Sequence, residues 1–539
     1  KEEIEANLRT PGLAGFQLLD LHDYTGQGTA LVGLLDPFWE PKGYATPAEF
    51  RRFNSETVPL ARLTKRVFTP DETLEAEVEV AHYGAAPLAG AAPYWKVTDA
   101  RGATVAGGRW PARTIPVGKN TPLGRVSVDL SKLAAPRQYR LVVGIGGTAA
   151  ENDWNFWLQP PDSDAEPAPG VLVTRSWDEA EAKLAAGGKV LYVPRRADLG
   201  WTSPPLDDVP VFWNRLMGPA WGRMLGLLAE TRHPALARFP TEANFDWQWA
   251  EIVRGARAVN LDRLPPALEP IVWAIDDWNR NYKLGLLFEC RVGRGRLLVS
   301  GADVVTGLDA RPAAGQLRRS LLGYMASPRF RPAAAVRAEE LRGLLFDTRV
   351  MHRLGAEAKG ESQPANPASN AIDGDPNTFW LAGDAKKNVK HPHRLSVSFP
   401  APVPVSGLVL MPRQNHREHE GDIRGYVVEA SDDGERWREV ARGELASTFE
   451  PQRVNFPQTF GARHLRLTAL GGFGTDVTAA LAELAVVYAG PKLPEEADDA
   501  PEYRRIRTAT PDIDEGTPAA RPTPTPARRP GPRRGRGKP

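Results

Sequence analysis

The sequence predicts a chain of several domains, mainly β with one α/β unit. Three observations carry that reading. At 539 residues the chain is too long for a single core, and three or four domains are expected. Between residues 64 and 160 short runs alternate apolar and polar side chains, the period of strands with one buried face. From Val171 to Val193 the pattern becomes apolar strand, helix, apolar strand, a βαβ signature with buried parallel strands.

Composition narrows the function classes. Charged residues make up 25% of the chain and the mean hydropathy is −0.38. No apolar run approaches the roughly 18 residues of a membrane span. Lys1–Glu5 has no apolar leader, and a larger N-terminal part is expected to precede it. Cys290 is the single cysteine, which excludes an internal disulfide and a thiolate metal site. The net charge of +2 conceals a division, because Gly516–Pro539 holds seven Lys/Arg and no acid. That leaves about −5 on the remainder. The Pro-rich segment 491–539 lacks apolar residues and is expected to be a disordered basic tail without specific nucleic-acid binding.

The elements follow in order. Residues 1–63 read as a helical start, an apolar strand Phe16–Leu21, a Gly-containing loop to Tyr44, and a helix from Pro47 to about Leu63. Thr46 is its N-cap. Glu2, Glu3 and Glu5 fall on a charged helix and read as a solvated face. Residues 64–160 read as an immunoglobulin-like sandwich with strands Thr73–Val80, Tyr94–Thr98, Gly124–Leu130, Tyr139–Ile145 and Trp154–Trp157. After the linker Pro160–Pro169, residues 167–333 form the α/β domain, with a helix Trp177–Ala186 and a closing helix Pro312–Met325. Its tryptophans (Trp201, Trp213, Trp221, Trp247, Trp249, Trp273, Trp278) are read as core and interface packing. Residues 345–490 form a further β domain.

Two resemblances attach chemistry to this layout. Leu13–Tyr24 and Leu35–Tyr44 resemble the end of a glycoside hydrolase family 2 (β/α)8 barrel, and the following sandwich fits that family's domain order. The resemblance implies that Asp20, His22 and Asp23 stand at the substrate-facing end of a barrel strand, with Trp39 as a stacking platform. It places the two catalytic glutamates of a retaining mechanism upstream of Lys1, so the catalytic set in this chain is none. The α/β domain resembles degenerate glutamine-amidotransferase-like domains. Cys290 lies in a strand-like run rather than on a nucleophile elbow, and reads as a buried small hydrophobe.

The stretch Asn370-Ala371-Ile372-Asp373-Gly374-Asp375-Pro376-Asn377-Thr378-Phe379-Trp380 crowds carboxylates and a hydroxyl onto a tight turn, the donor type a hard cation requires. Together with His391–Phe399, Val409–Gln414, Gly421–Val428, Ser431–Trp437, Ala462–Leu467 and Ala482–Leu484, it resembles a discoidin (F5/8 type C) module, a jelly-roll-like β-sandwich of the carbohydrate-binding family 32 type. The resemblance implies a structural Ca²⁺ held by the Asn370 and Ala482 carbonyls with Asp373, Asp375, Thr378 and Glu483. A metal-free Asx-turn is the other reading of the same residues. It also implies sugar binding by Arg413, Asn415, His416 and Phe473, while Trp380 and Trp437 fall in the core.

The expectation is therefore the C-terminal portion of an exported β-galactosidase-like enzyme acting on glycans, with β-galactosides as the implied substrate. The alternative is a non-catalytic glycan-binding or adhesion protein.

Overall fold

The computed structural model describes residues 1–26, 32–161, 168–206, 224–276, 281–384, 389–416, 418–491 and 493. The expected basic tail, Trp213, Trp221 and Trp278 lie outside them. The chain is mostly β, in three sheet systems joined in series. No helix among the described residues is long and apolar enough to cross a membrane.

The first system begins earlier than expected. Thr46 caps a short helix Pro47–Phe53, accepting from Glu49 N–H at 3.2 Å while Glu49 Oε2 accepts from Thr46 N–H at 2.8 Å. The helix does not continue to Leu63. Thr57–Leu63 is a strand, paired antiparallel with Thr73–His82. Sheet pairing overrides helical propensity here because Val58, Leu60 and Leu63 each gain a buried position. With Gly118–Asp129 these strands form one sheet. It faces a second sheet of Val67–Phe68, Glu151–Leu158, Arg137–Gly146, Leu88–Asp99, Thr104–Arg109 and Arg113–Ile115. Thr73–His82 buries alternate residues as the sequence predicts, and Leu74, Val78, Leu123, Leu141, Trp154 and Phe156 fill the space between the sheets.

The N-terminal segment departs from expectation twice. Helix Glu2–Arg9 lies against this sandwich, and Glu5 is fully buried rather than on a solvated face. Asn152 Nδ2 and Trp154 Nε1 each donate to its carboxylate at 2.8 Å, and Arg9 lies 3.3 Å away. A buried charge so satisfied fixes the helix to the sandwich. Phe16–Leu21 forms no strand. Phe16, Leu18, Leu19 and Leu21 are exposed, and one parallel bridge joins His22 to Leu35. No barrel is formed among the described residues.

The second system is a mixed sheet in the order Val171–Thr174, Lys189–Tyr192, Gly295–Ser300, Lys283–Val292, Pro270–Ile275, Gly226–Ala229, with Val259–Asn260 on Lys283–Val292. The first three strands are parallel, with helix Trp177–Ala185 between the first two, as the βαβ pattern predicts. The others are antiparallel, so the sheet is mixed. Cys290 is buried in Lys283–Val292, and burial with Glu289 beside it pushes the thiol up to about 12. Its burial fits the reading of a small core hydrophobe. Trp249 is core, and Trp247 lies under Arg66 with its indole N–H 3.4 Å from Glu2. These aromatics pack in the core and at the contact with the N-terminal helix.

The third system is a sandwich with the strand order Glu357–Gly360, His393–Met411, Gln452–Gly472, Ile423–Ser431, Arg438–Glu444. Glu483–Tyr488 pairs with His393–Met411, and Trp380–Ala382 pairs with Ala479–Leu481. Trp380 is fully buried among Leu395, Val405, Leu410, Val428 and Leu484. Trp437 is not core: it is half-buried at a hairpin turn with the Arg466 guanidinium 4.0 Å above its ring.

Candidate functional site

Two loops at one end of the third sandwich carry the polar chemistry. Register explains why they meet. Met411, the last residue of its strand, pairs with Glu483, and Pro412-Arg413 follows directly. The strand that ends in the sugar-binding candidates therefore runs beside the strand that starts with the late glutamate.

The first loop is Asn370–Trp380. Gly374 turns it at φ +81, where an added Cβ would stand 2.9 Å from the Thr348 carbonyl. Only glycine satisfies both the left-handed backbone and that approach. Asp373 Oδ1 accepts from Asp375 N–H at 2.8 Å, and Thr378 Oγ1 donates to Asp373 Oδ2 at 2.7 Å. The Asn370 carbonyl is 3.4 Å from the same hydroxyl. Glu483 enters from the far strand at 1% exposure and is hydrogen-bonded to Asp373. Its Oε1 is buried with no hydrogen-bond partner.

Two carboxyl groups can share a hydrogen bond only if one is protonated. Burial, then the Asp373 charge, raises Glu483 well above the ordinary carboxylate range, and burial likewise raises Asp373. A cation in place of the shared proton would relieve both. Asp373, Thr378, Glu483 and the Asn370 carbonyl thus fit a hard cation by donor chemistry. Asp375 is less committed to it. Its Oδ1 accepts from the Asn377 N–H at 3.0 Å and Nδ2 at 2.6 Å. No group of three His, Cys, Asp or Glu side chains converges as a metal site among the described residues, so carbonyl and hydroxyl oxygens must complete any shell.

The second loop is Arg413–Asp422, linked to the first through an aromatic ring. The Arg413 guanidinium lies 5.4 Å from the Phe379 ring centroid. Its Nη2 donates to the Glu420 carbonyl and its Nε stands 3.5 Å from Asp422 Oδ1, an ion pair too long to be a good hydrogen bond. His419, at φ 55, places Nδ1 2.8 Å from Asp422 Oδ2 and its ring 4.4 Å from Phe449. Burial raises Asp422, against the lowering pull of His419 and Arg413. Arg413 Nε, His416 Nδ1 and Asp422 Oδ1 are buried without hydrogen-bond partners within the chain, a surplus of polar valence around one carboxylate.

Phe473 joins the same segment through its backbone: its N–H donates to the Asp422 carbonyl at 3.0 Å, and its carbonyl accepts from Gly421 at 2.8 Å. Arg413, His416 and Phe473 are therefore gathered around residues 420–422, with half-buried Asn415 on the same loop. Phe379, His419 and Asp422 also belong to this cluster; His416 and His419 read from sequence equally as part of a solvated loop, whereas His419 is buried. The Pro412–Asp422 charge pattern alone could not separate a buried His–Asp pair from a solvated loop.

Residues 355–484 match the F5/8 type C domain. Two other parts match domains of unknown function, DUF8488 at 72–160 and DUF8487 at 172–346. A sialidase of Micromonospora viridifaciens is 33% identical over 144 residues, which are 26% of this chain and 22% of the sialidase. A galactose oxidase of Gibberella zeae is 32% identical over 130 residues, 24% of this chain and 19% of the oxidase. The chain thus spans about a fifth of the length of these relatives. Solved structures similar to this chain include the family 32 carbohydrate-binding module of C. perfringens NanJ in complex with galactose. It is 29% identical, with coverage of 26% of this chain and 96% of that one and a TM-score of 0.23. A module from Clostridium perfringens in complex with GalNAc-β-1,3-galactose is 25% identical, with coverage of 26% and 99% and a TM-score of 0.24.

The rim residues expected at the N-terminal end are only partly assembled. His22 and Trp39 meet edge to face at 4.4 Å. Asp23 is buried, accepting from Gly33 N–H at 2.9 Å and from Lys42 Nζ at 2.6 Å. Asp20 joins neither contact. Asp20 at φ 66 and Trp39 at φ 68 are both in the left-handed region, which is costly for a residue as bulky as tryptophan. Lys42 was not singled out from sequence, although it lies in the stretch that carries the resemblance.

Proposed function

We propose that the F5/8 type C domain binds a galactose-type sugar at the Arg413–Asp422 loop and that Ca²⁺ pins the adjoining Asn370–Trp380 loop. The observation that carries this reading is the buried polar cluster around Asp422, in which Arg413 Nε, His416 Nδ1 and Asp422 Oδ1 lack hydrogen bonds within the chain although ion pairs at 3.5–3.8 Å surround them, next to Phe473. Arg413 is held from three sides before any ligand arrives, so little side-chain entropy is lost on binding. Phe379 is covered by that guanidinium, which leaves half-buried Phe473 as the ring for a sugar's apolar C–H face. Asn415 and His416 supply further hydrogen bonds to hydroxyls. Galactose oxidase and sialidase, the names of two relatives, are consistent with that ligand class.

When bound, the calcium ion supplies positive charge among oxygen donors: Asp373, Asp375, Thr378 and Glu483 with the Asn370 and Ala482 carbonyls. The chain's own contribution is to bring Glu483 to the loop through strand pairing with Met411. A glycan array on the chain tests the ligand class. Preferential capture of terminal galactose or GalNAc supports the reading, and capture of neither refutes it.

Our reading of the whole protein is a retaining glycoside hydrolase resembling family 2, whose catalytic glutamates lie upstream of this chain. Among the described residues between Leu13 and Tyr44, ten large apolar ones are exposed, Phe38 to 83%. A barrel packed on this segment would cover them. Hydrolysis of a chromogenic β-galactoside by a protein extended upstream, with none by this chain alone, supports the reading. Inactivity of the extended protein towards β-glycosides favours a non-catalytic glycan-binding protein.

A further inference from the structure

A separate cleft of about 360 Å³ lies between the mixed α/β sheet domain and the C-terminal sandwich. It shares no lining residue with the Arg413–Asp422 cluster. One wall comes from the α/β domain through Trp201, Asn260 and Arg263, the other from the sandwich through Val409 and Arg453, with Phe346 of the connector between them. The two domains hold these walls together at the rim, where Arg263 pairs with Glu450 across the interface at 2.7 Å.

The chemistry of the lining is one-sided. It contains two guanidinium groups and no Asp or Glu; Arg263 is partly neutralised by Glu450, while Arg453 is held by a neutral partner, its Nε donating to Asn455 Oδ1 at 2.8 Å. Its floor is aromatic, Trp201 meeting Phe346 edge to face at 4.9 Å. Trp201 is 2% exposed, and its indole N–H is buried without an acceptor among the described residues. A buried donor left unmade is costly, and an oxygen-bearing ligand would satisfy it. Asn260, also buried, fixes its own loop by accepting from Asp262 N–H at 2.8 Å, so this wall is rigid.

We propose that this cleft is a second saccharide site that takes an acidic sugar of the hexuronate class. The ring's C–H face would lie on half-buried Phe346, a hydroxyl would accept from the Trp201 N–H, and the carboxylate would meet Arg453 and Arg263. Planar bidentate recognition of carboxylate is what guanidinium groups do best. The volume suits one or two sugar rings, and the walls come from two domains, a common setting for small-ligand sites. This proposal does not rest on the galactose reading of the other loop.

Calorimetric titration of the full chain with sodium digalacturonate and, separately, with galactose tests it. In the Arg263→Ala/Arg453→Ala variant, digalacturonate affinity should fall at least about tenfold, the loss of charge-assisted bonds, while galactose binding is retained. Retained galactose binding also shows that the variant folds. An Arg453→Lys variant should weaken digalacturonate to a smaller degree, because charge remains but the planar fork is lost. Absence of digalacturonate binding to the wild type, or equal binding to the double variant, overturns the proposal. So does loss of that binding on Arg413→Ala alone, which would assign the uronate to the other loop.

Discussion

The loops Asn370–Trp380 and Leu13–Tyr44 both cluster acids with an aromatic residue, yet they differ in what supports them. In the first, Trp380 is fully buried, Glu483 closes the turn from a neighbouring strand, and Gly374 takes the left-handed position. In the second, Trp39 is 60% exposed and takes a left-handed backbone without glycine's freedom. A strained residue persists where surrounding structure over-determines it. The Asn370 loop has that surrounding structure inside the chain, whereas the Leu13 loop presents apolar side chains to solvent.

The contrast is open to mutation, and the largest effect belongs to the supported loop. Trp380→Ala should destabilise the C-terminal sandwich by about 3–5 kcal/mol, the cost of deleting a buried indole; chemical denaturation monitored in that domain would measure it. A loss below about 1 kcal/mol would mean that the loop's anchor lies elsewhere. Gly374→Ala should cost on the order of 1–2 kcal/mol through the left-handed backbone and the Thr348 carbonyl. It should also blunt the rise in Tm that millimolar Ca²⁺ gives the wild type. An unchanged melting temperature with Ca²⁺ in both proteins would remove the metal from the account.

A third position, remote from both loops, calibrates burial itself. Burial raises Glu289 from 4.5 to about 7, with Tyr324 Oη 3.0 Å away pulling it down. A carboxyl raised on folding favours the folded state below its unfolded pKa and loses that advantage as pH rises through the folded value. Between pH 5 and 8 the wild type should therefore lose on the order of 1 kcal/mol, after allowance for partial exposure. Glu289→Gln should flatten that slope in thermal melts, and an unchanged slope would assign the pH dependence to other groups. The smallest effect is expected at the unsupported loop. Trp39→Gly should leave stability within about 1 kcal/mol of wild type, or raise it slightly by relieving the left-handed backbone. A loss of several kcal/mol would show that the loop has internal support after all.

What the sequence made legible follows the same division. Strands with alternating burial, such as Thr73–His82, and the βαβ run from Val171 were readable because their period is local. Thr46 and Glu49 marked a helix start, but its end was misplaced because Thr57–Leu63 is decided by pairing with a strand ten residues further on. Glu5 looked solvated since its partners, Asn152 and Trp154, lie about 150 residues away. The Asn370 loop was legible in donor types, whereas the cation–π link from Phe379 to Arg413 and the His419–Asp422 pair are tertiary facts with no local signature.

The central claim is that Arg413, held over Phe379, grips a sugar. Titration of galactose into the full chain and into Arg413→Lys, both in Ca²⁺, tests it most directly. The account predicts saturable binding to the wild type and affinity at least about tenfold lower in the variant, because lysine keeps the charge and loses the planar donor fork. Equal affinity in the two proteins would contradict it.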